Sequence, residues 1–377
     1  MIRSIPATRA VLVPLLCAGV VWLAGSGAAQ AFEFNGFGDM TYRARGASNG
    51  GGANNGFALG QLDLYATKEV TDRTDVLIEI VAEDRQQGGF EVDLERLQFT
   101  YTLSNVHRLR AGRFHTILGY WGHAYHHGAH LQTTIYRPFF LEFEDRGGAL
   151  PAHAVGLWWS GRWASAAGRL ETSAMVHNGS TVIWNSAAGS PTGTLETSTG
   201  GDSDNHKSVV FAINFRPSAL EGLEVGASGQ SGAVRVTDTA IPLSPTDKDV
   251  REVITAAHVA YPGEQVEFIA ERYDWHHTRG GTQTSANAWY LQAGGRVGKG
   301  FLYMRYATMD AEKDDYFDGI GFTTFSSSLA GRRRTIGTAG VRLDIHYLTA
   351  LKLELSQVDD DQDGQYETGT VQWTFAF

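Results

Sequence analysis

From residue 34 onward, apolar and polar side chains alternate in runs of about ten residues, as in strands with one face toward an apolar medium and the other toward water. The last run is the plainest. Between Tyr366 and Phe377 one face carries Gly369, Val371, Trp373, Phe375 and Phe377, and the other carries Thr368, Thr370, Gln372, Thr374 and Ala376. Leu97, Phe99, Tyr101 and Leu103 alternate in the same way with Arg96, Gln98, Thr100 and Thr102, and Leu351, Leu353 and Leu355 with Lys352, Glu354 and Ser356. The pattern predicts sixteen strands, near 34-45, 57-68, 74-84, 91-103, 108-115, 151-161, 164-176, 206-216, 222-235, 250-261, 264-275, 286-297, 300-309, 332-345, 350-358 and 365-377. Connections alternate between long (46-56, 177-205, 310-331) and short (69-73, 104-107, Pro262-Gly263, Gly298-Lys299). The fold expected is therefore all-β: a transmembrane antiparallel β-barrel of about sixteen strands, with short periplasmic turns, long extracellular loops and both termini on the short-turn side. A barrel of that size leaves an aqueous channel, whereas an eight-stranded one is filled by side chains.

Composition agrees. The chain has 45 Gly, 9 Pro, 14 Tyr, 19 Phe and 9 Trp, which suits tight turns and aromatic girdles. A mean hydropathy of -0.21 excludes a bundle of membrane helices but not a barrel, in which one face of each strand meets lipid. Residues 1-31 read as a signal peptide. Arg3 and Arg9 precede the apolar run from Ala10 to Ala24, and Ala29-Gln30-Ala31 is an A-x-A site with cleavage expected before Phe32. Residues 32-377 form the barrel, and no plug domain is expected before its first strand. Cys17, the one cysteine, lies inside the signal, without the small preceding residue of a lipoprotein site. The mature chain then has no disulfide, thiol nucleophile or covalently attached haem. A net charge of -10 argues against nucleic acid as a partner.

Two stretches resemble known families. The terminal Trp373-Thr374-Phe375-Ala376-Phe377 resembles the strand read by outer-membrane assembly machinery. Ala111-Gly112-Arg113-Phe114, closing the fifth strand before a long loop, resembles the GRF turn-in of the phosphate-selective porin O/P-like group. The resemblance implies a Gram-negative outer-membrane porin for passive diffusion of small polar or ionic solutes. It further implies a third loop, 116-150, folded inward as a constriction, contacts with outer-membrane lipid and lipopolysaccharide, and a homotrimer. That group's phosphate selectivity implies a dense arginine ladder with lysines; here lysine is scarce and the charges are mixed, so phosphate specificity is not carried over.

Three constellations carry candidate chemistry. The third loop holds His123, His126, His127 and His130, followed by Glu142, Glu144 and Asp145, with His115 at its entrance. At i, i+3, i+4 and i+7 the histidines share a face if the stretch is helical. They read either as zinc, copper or nickel ligands or as a polar constriction wall, and Gly122 and Gly128 weaken a helix there. The first of these gives the alternative reading, a metal-binding or receptor-like barrel. Asp359, Asp361, Asp363 and Gly364 match the opening of a calcium loop. The closing glutamate is missing, so an acidic hairpin tip is the plainer reading and no cofactor is expected. Alternation points Arg96, Arg108, Arg110, Arg296, Arg305, Arg334 and Arg342 inward, together with Asp39, Asp63, Glu79, Glu83, Glu267 and Glu271. Because the strand of Arg108 and Arg110 leads into the third loop, a weak preference for anions is expected. No Ser/His or Asp/His pair has a diagnostic catalytic context, so no enzyme is expected.

Overall fold

The structure, a computed structural model, describes residues 32–46, 54–84, 89–125, 128–143, 148–185, 192–196, 201, 205–235, 249–279, 281–311 and 333–377. Residues 1–31, including the expected signal, and His126, His127, Glu144 and Asp145 lie outside these. The described strands are β1 (Glu33–Arg45), β2 (Asn54–Thr71), β3 (Thr74–Asp84), β4 (Phe90–Thr102), β5 (His107–His115), β6 (His153–Ser165), β7 (Gly168–His177), β8 (Thr181–Asn185), β9 (Thr192–Glu196), β10 (Ser208–Pro217), β11 (Glu224–Arg235), β12 (Asp249–Pro262), β13 (Val266–Arg279), β14 (Thr282–Val297), β15 (Gly300–Ala311), β16 (Arg333–His346), β17 (Thr349–Asp360) and β18 (Gly364–Ala376). Sixteen of them close an antiparallel barrel in which sequence neighbours pair and β1 meets β18; β8 and β9 form a separate hairpin between β7 and β10. Closure leaves the barrel without an edge strand.

The alternation does what the sequence predicts. On β17, Leu351, Leu353 and Leu355 are 38%, 44% and 61% exposed on the outer surface, while the intervening Lys352 and Glu354 are 0% and 2%. Trp159, Trp163 and Tyr261 mark an outward aromatic band near the short turns, as membrane barrels place at the interface. No helix among the described residues is long and apolar enough to cross a membrane.

The seam shows how the C-terminus completes the wall. Phe377 exchanges two backbone hydrogen bonds with Gly36, at 2.9 and 3.0 Å. Its ring lies where a Cβ on Gly36 would stand, 2.6 Å from that point, and Phe375 covers Gly38 in the same way. Deleting Phe377 removes both hydrogen bonds and uncovers Gly36. We expect a lower yield of heat-modifiable folded barrel in the membrane fraction; an unchanged yield would remove the last strand's role in assembly.

Three expectations are corrected. The turn between β6 and β7 falls at 166–167, not 162-163, so Arg162 belongs to a strand. The β13–β14 hairpin continues to Arg279 and Thr282, turning at Gly281, whose φ is +86°, so the connection expected at 276-285 is mostly strand. The connection expected as a loop at 177-205 carries the β8–β9 hairpin.

Candidate functional site

The third loop leaves β5 at His115 and returns at His153. These two residues are partners in the β5–β6 register. Each imidazole meets a buried carboxylate on the neighbouring wall: His115 Nε2 is 3.3 Å from Glu79 Oε2, and His153 Nε2 is 2.5 Å from Glu95 Oε2. Arg96 also pairs with Glu79, so the guanidinium expected to face the pore is shared with this neck. Thr116 closes the neck through its amide, which donates to Ala152 O at 2.9 Å.

From the neck the loop packs against inward-facing side chains of the far wall. A short helix, α1 (Trp121–Ala124), begins over Glu271. That carboxylate accepts from the amides of Tyr120 and Trp121 at 2.5 and 2.9 Å, and from the hydroxyls of Tyr273 and Tyr290 at 2.6 and 2.5 Å. A negative group at the first amides of a helix satisfies donors that have no partner within it. Gly119, at φ +71°, lets the backbone approach this closely, because a Cβ there would collide with the Tyr273 hydroxyl. Gly119 N also donates to Ser228 Oγ at 3.0 Å.

Further along, the loop is held by cations. Lys352, fully buried, donates to three carbonyls, Ala129, Gln132 and Thr134, at 2.6, 2.8 and 3.0 Å. Arg342 donates to His130 O at 2.7 Å and Gln132 O at 3.0 Å. Arg305 reaches Thr134 Oγ1, Tyr136 O and Arg137 O at 3.2, 2.7 and 3.3 Å. The carboxylates take the loop's donors: Ile135 N gives to Glu354 at 3.0 Å and Thr133 Oγ to Glu267 at 2.8 Å. Arg43 and Arg334 lie over the rings of Tyr136 and Phe139. Between loop and wall sits a dry core that includes Trp121, Phe140, Ile254, Ile269, Tyr273, Trp275, Tyr290 and Met309.

This core was missed in the sequence, which read the inner face as uniformly wet. The signal was present: in Phe301–Met309 both faces of the strand are mostly apolar, the mark of a strand buried on both sides. Beneath the loop the inward charges are not freely hydrated. Burying them is affordable only because each finds hydrogen-bond partners.

The remaining expected residues are placed as follows. Arg110 lies over Trp158, 3.9 Å from its ring centre, and donates to Ser160 Oγ at 2.9 Å. β5 leads into the third loop as expected, but Arg108 is its second residue, seven before His115, and so about 23 Å from the loop's root at the ordinary strand rise; its expected place beside the constriction is corrected. Arg296 and Arg342 both pair with Asp344, at 3.6 and 2.7 Å. Arg334 pairs with Asp360 at 3.5 Å. Asp39 accepts from Gln61 N and Gln372 Nε2, and Glu83 from Gln61 Nε2. Asp63 is buried beside Glu79.

His123 and His130 do not share one helical face, because α1 ends at Ala124 and His130 lies beyond it. His130 Nε2 instead meets Tyr347 O at 3.2 Å. Among the described residues no group of three or more His, Cys, Asp or Glu has the geometry to hold a metal. In the acidic turn the buried acceptor is Asp360, which takes the amides of Gln362 and Asp363 at 3.0 and 3.1 Å. Asp359 points to the opposite face of β17, and Asp361 and Asp363 are exposed, so these three do not converge as the calcium pattern requires.

Burial holds the His130 imidazole below its ordinary value of 6.5, with Arg342 and Lys352 adding to the effect. A base whose pKa is lower in the docked than in the undocked state leaves docking unaffected above its undocked pKa and opposes it increasingly as pH falls below that value. Acidification from about 7 to 5 is therefore expected to loosen the third loop, read as faster amide exchange at 129–135 with the strand amides unchanged. Equal exchange at both pH values would contradict this.

Comparison with known proteins finds likeness in fold rather than in sequence. No protein-family model and no curated protein sequence matches the chain. The anion-selective porin from Comamonas acidovorans superposes with a TM-score of 0.57 at 13% identity, covering 92% of this chain and 99% of that one. The trimer form of in-vitro folded OmpT, an outer membrane protein of Vibrio cholerae, gives 0.56 at 12%, covering 92% and 100%. Salmonella typhi OmpF in complex with daunomycin gives 0.57 at 12%, covering 93% and 98%. The chain has the closed sixteen-stranded antiparallel fold of outer-membrane porins.

Proposed function

We propose that the protein is a passive porin of the Gram-negative outer membrane. On this reading residues 1–31 direct export, and the third loop narrows the channel for small polar or ionic solutes. The observation that carries the reading is where the loop docks. Beyond its neck, its described hydrogen bonds and cation–ring contacts to the wall fall on β1 and β11–β18. The wall from β2 to β10 keeps charged side chains exposed, among them Arg108, Arg162, Arg169 and Arg216. A loop that lines one side of a barrel this wide and leaves a charged, wet wall opposite is suited to diffusion rather than to closure. The trimer form of the Vibrio cholerae neighbour supports a homotrimer here, with lipid and lipopolysaccharide around it and assembly machinery reading the terminal strand. No catalytic step is assigned.

The test is swelling of liposomes that contain the purified protein, with uncharged sugars of increasing size as osmolytes. Swelling should be rapid for monosaccharides and fall steeply with solute size. Liposomes that swell no faster than protein-free ones would overturn the reading.

A further inference from the structure

The lumen treats its two signs of charge differently. Asp63, Glu79, Glu95, Glu252, Glu267, Glu271 and Glu354 are all buried; Glu271 and Glu354 accept backbone and tyrosine donors, and Glu79, Glu95 and Glu252 face imidazoles. Several arginines instead project into open space. The densest group runs across four adjacent strands in barrel order β5, β6, β7, β10: Arg108, Arg162, Arg169 and Arg216, all exposed. Each lies within a few residues of a short turn, which places the group at the periplasmic rim of the inner wall.

Two features distinguish this group from an ordinary hydrated rim. Arg169 and Arg216 are direct partners in the β7–β10 register, on the same inward face. Like charges directly opposite each other across a strand pair destabilise it, so the arrangement costs stability unless an anion sits between them. Nearby acids neutralise only part of the charge. Arg162 pairs with Glu171 at 3.0 Å and Arg216 with Glu224 at 2.5 Å, while His258 Nε2 also lies 3.3 Å from Glu224. Arg108 and Arg169 make no side-chain hydrogen bond or ion pair among the described residues. Four guanidinium groups against two carboxylates leave a local excess of two positive charges. Arg110, which the sequence groups with Arg108, is engaged with Trp158 and Ser160.

We propose that Arg108, Arg162, Arg169 and Arg216 form an oxyanion-docking patch at the periplasmic mouth, for small solutes bearing carboxylate or phosphate groups. The planar guanidinium fork matches the paired oxygens of such groups, and an excess of one sign at a pore mouth raises the local concentration of the other. The patch rests on the porin reading and names the class of solute that it favours.

The test compares wild type with the Arg169→Gln/Arg216→Gln double variant in planar bilayers at low salt, with inorganic phosphate and succinate as probes. Wild type should show an anion-sided reversal potential in a chloride gradient. Its single-channel current should be reduced by either probe, more strongly from the short-turn side. The double variant should keep its conductance steps, shift its reversal potential toward cations and need about tenfold more probe for the same reduction, the equivalent of one charge-assisted hydrogen bond. Because Arg216→Gln also removes the ion pair with Glu224, heat-modifiable folding of the double variant is checked before its currents are compared. Unchanged probe sensitivity and reversal potential in a variant that still conducts would overturn the patch, as would reduction by probe from the long-loop side alone. A wild type with no conductance would instead defeat the porin reading. Calorimetric titration of phosphate into the folded barrel in detergent then decides the patch separately: binding lost in the double variant supports it, and no binding by wild type overturns it.

Discussion

Removing residues 120–135 is expected to raise single-channel conductance about two- to threefold, in proportion to the channel section that the loop occupies. The deleted stretch contains α1, which starts over Glu271, the carbonyls gathered by Lys352 and Arg342, and the Thr134 hydroxyl that Arg305 reaches. The barrel wall does not depend on it, because the sixteen strands are paired to one another all the way round. The shortened protein should therefore still migrate as a heat-modifiable folded barrel. What changes is the lumen: Ile254, Ile269 and Tyr273 lose part of their cover, and water replaces it. Bilayer recording of both proteins at the same salt checks this. Equal conductance in a correctly folded variant would mean that the loop does not limit the channel.

The second large effect concerns a single side chain. Replacing Lys352 by Met is expected to free the middle of the third loop. Lys352 is the common donor to Ala129 O, Gln132 O and Thr134 O. Without it Ala129 O and Thr134 O either stay dry, at about 1–3 kcal/mol each, or turn toward water and take the loop with them, while Gln132 O keeps Arg342. The second course is open because the loop borders a wet space. The expected record is a noisier current with brief excursions to higher conductance, and cleavage of the loop by added protease at a rate at least about tenfold above wild type. The strands should melt at the wild-type temperature, since Met fits the aliphatic path of the lysine and no strand hydrogen bond is lost. A quiet, protease-resistant channel in Lys352→Met would show that the loop is held by the apolar contacts of Trp121 and Phe140 instead.

How far the sequence led differs between wall and lumen. The wall was legible because period-two alternation is local: each residue on β18 reveals its face by its neighbours two positions away, and the outer rows Val371, Trp373 and Phe375 are as exposed as expected. The turn was expected at 162-163, but the outer row of β6 runs on through Gly161 and Trp163 and the chain turns at 166–167. The interior was legible only in direction. Alternation put Lys352 on the inner face, but not beneath a backbone segment 218 residues away in sequence. The histidines at 123–130 offered a helical spacing, but the helix stops after four residues. Its nearest carboxylate anchor, Glu271, is contributed by a strand about 150 residues downstream. Contacts of this range leave no periodic trace in either partner, so the docking of the third loop, and with it which charges remain exposed, appears only in three dimensions.

The most direct measurement is single-channel recording of the full mature protein reconstituted in a planar bilayer, with no ligand added. The account predicts discrete, long-lived conductance steps whose current is linear in voltage over the low range and scales with salt concentration. A protein that inserts as a heat-modifiable barrel yet gives no steps, or that conducts only after a ligand or a protease is supplied, would contradict it.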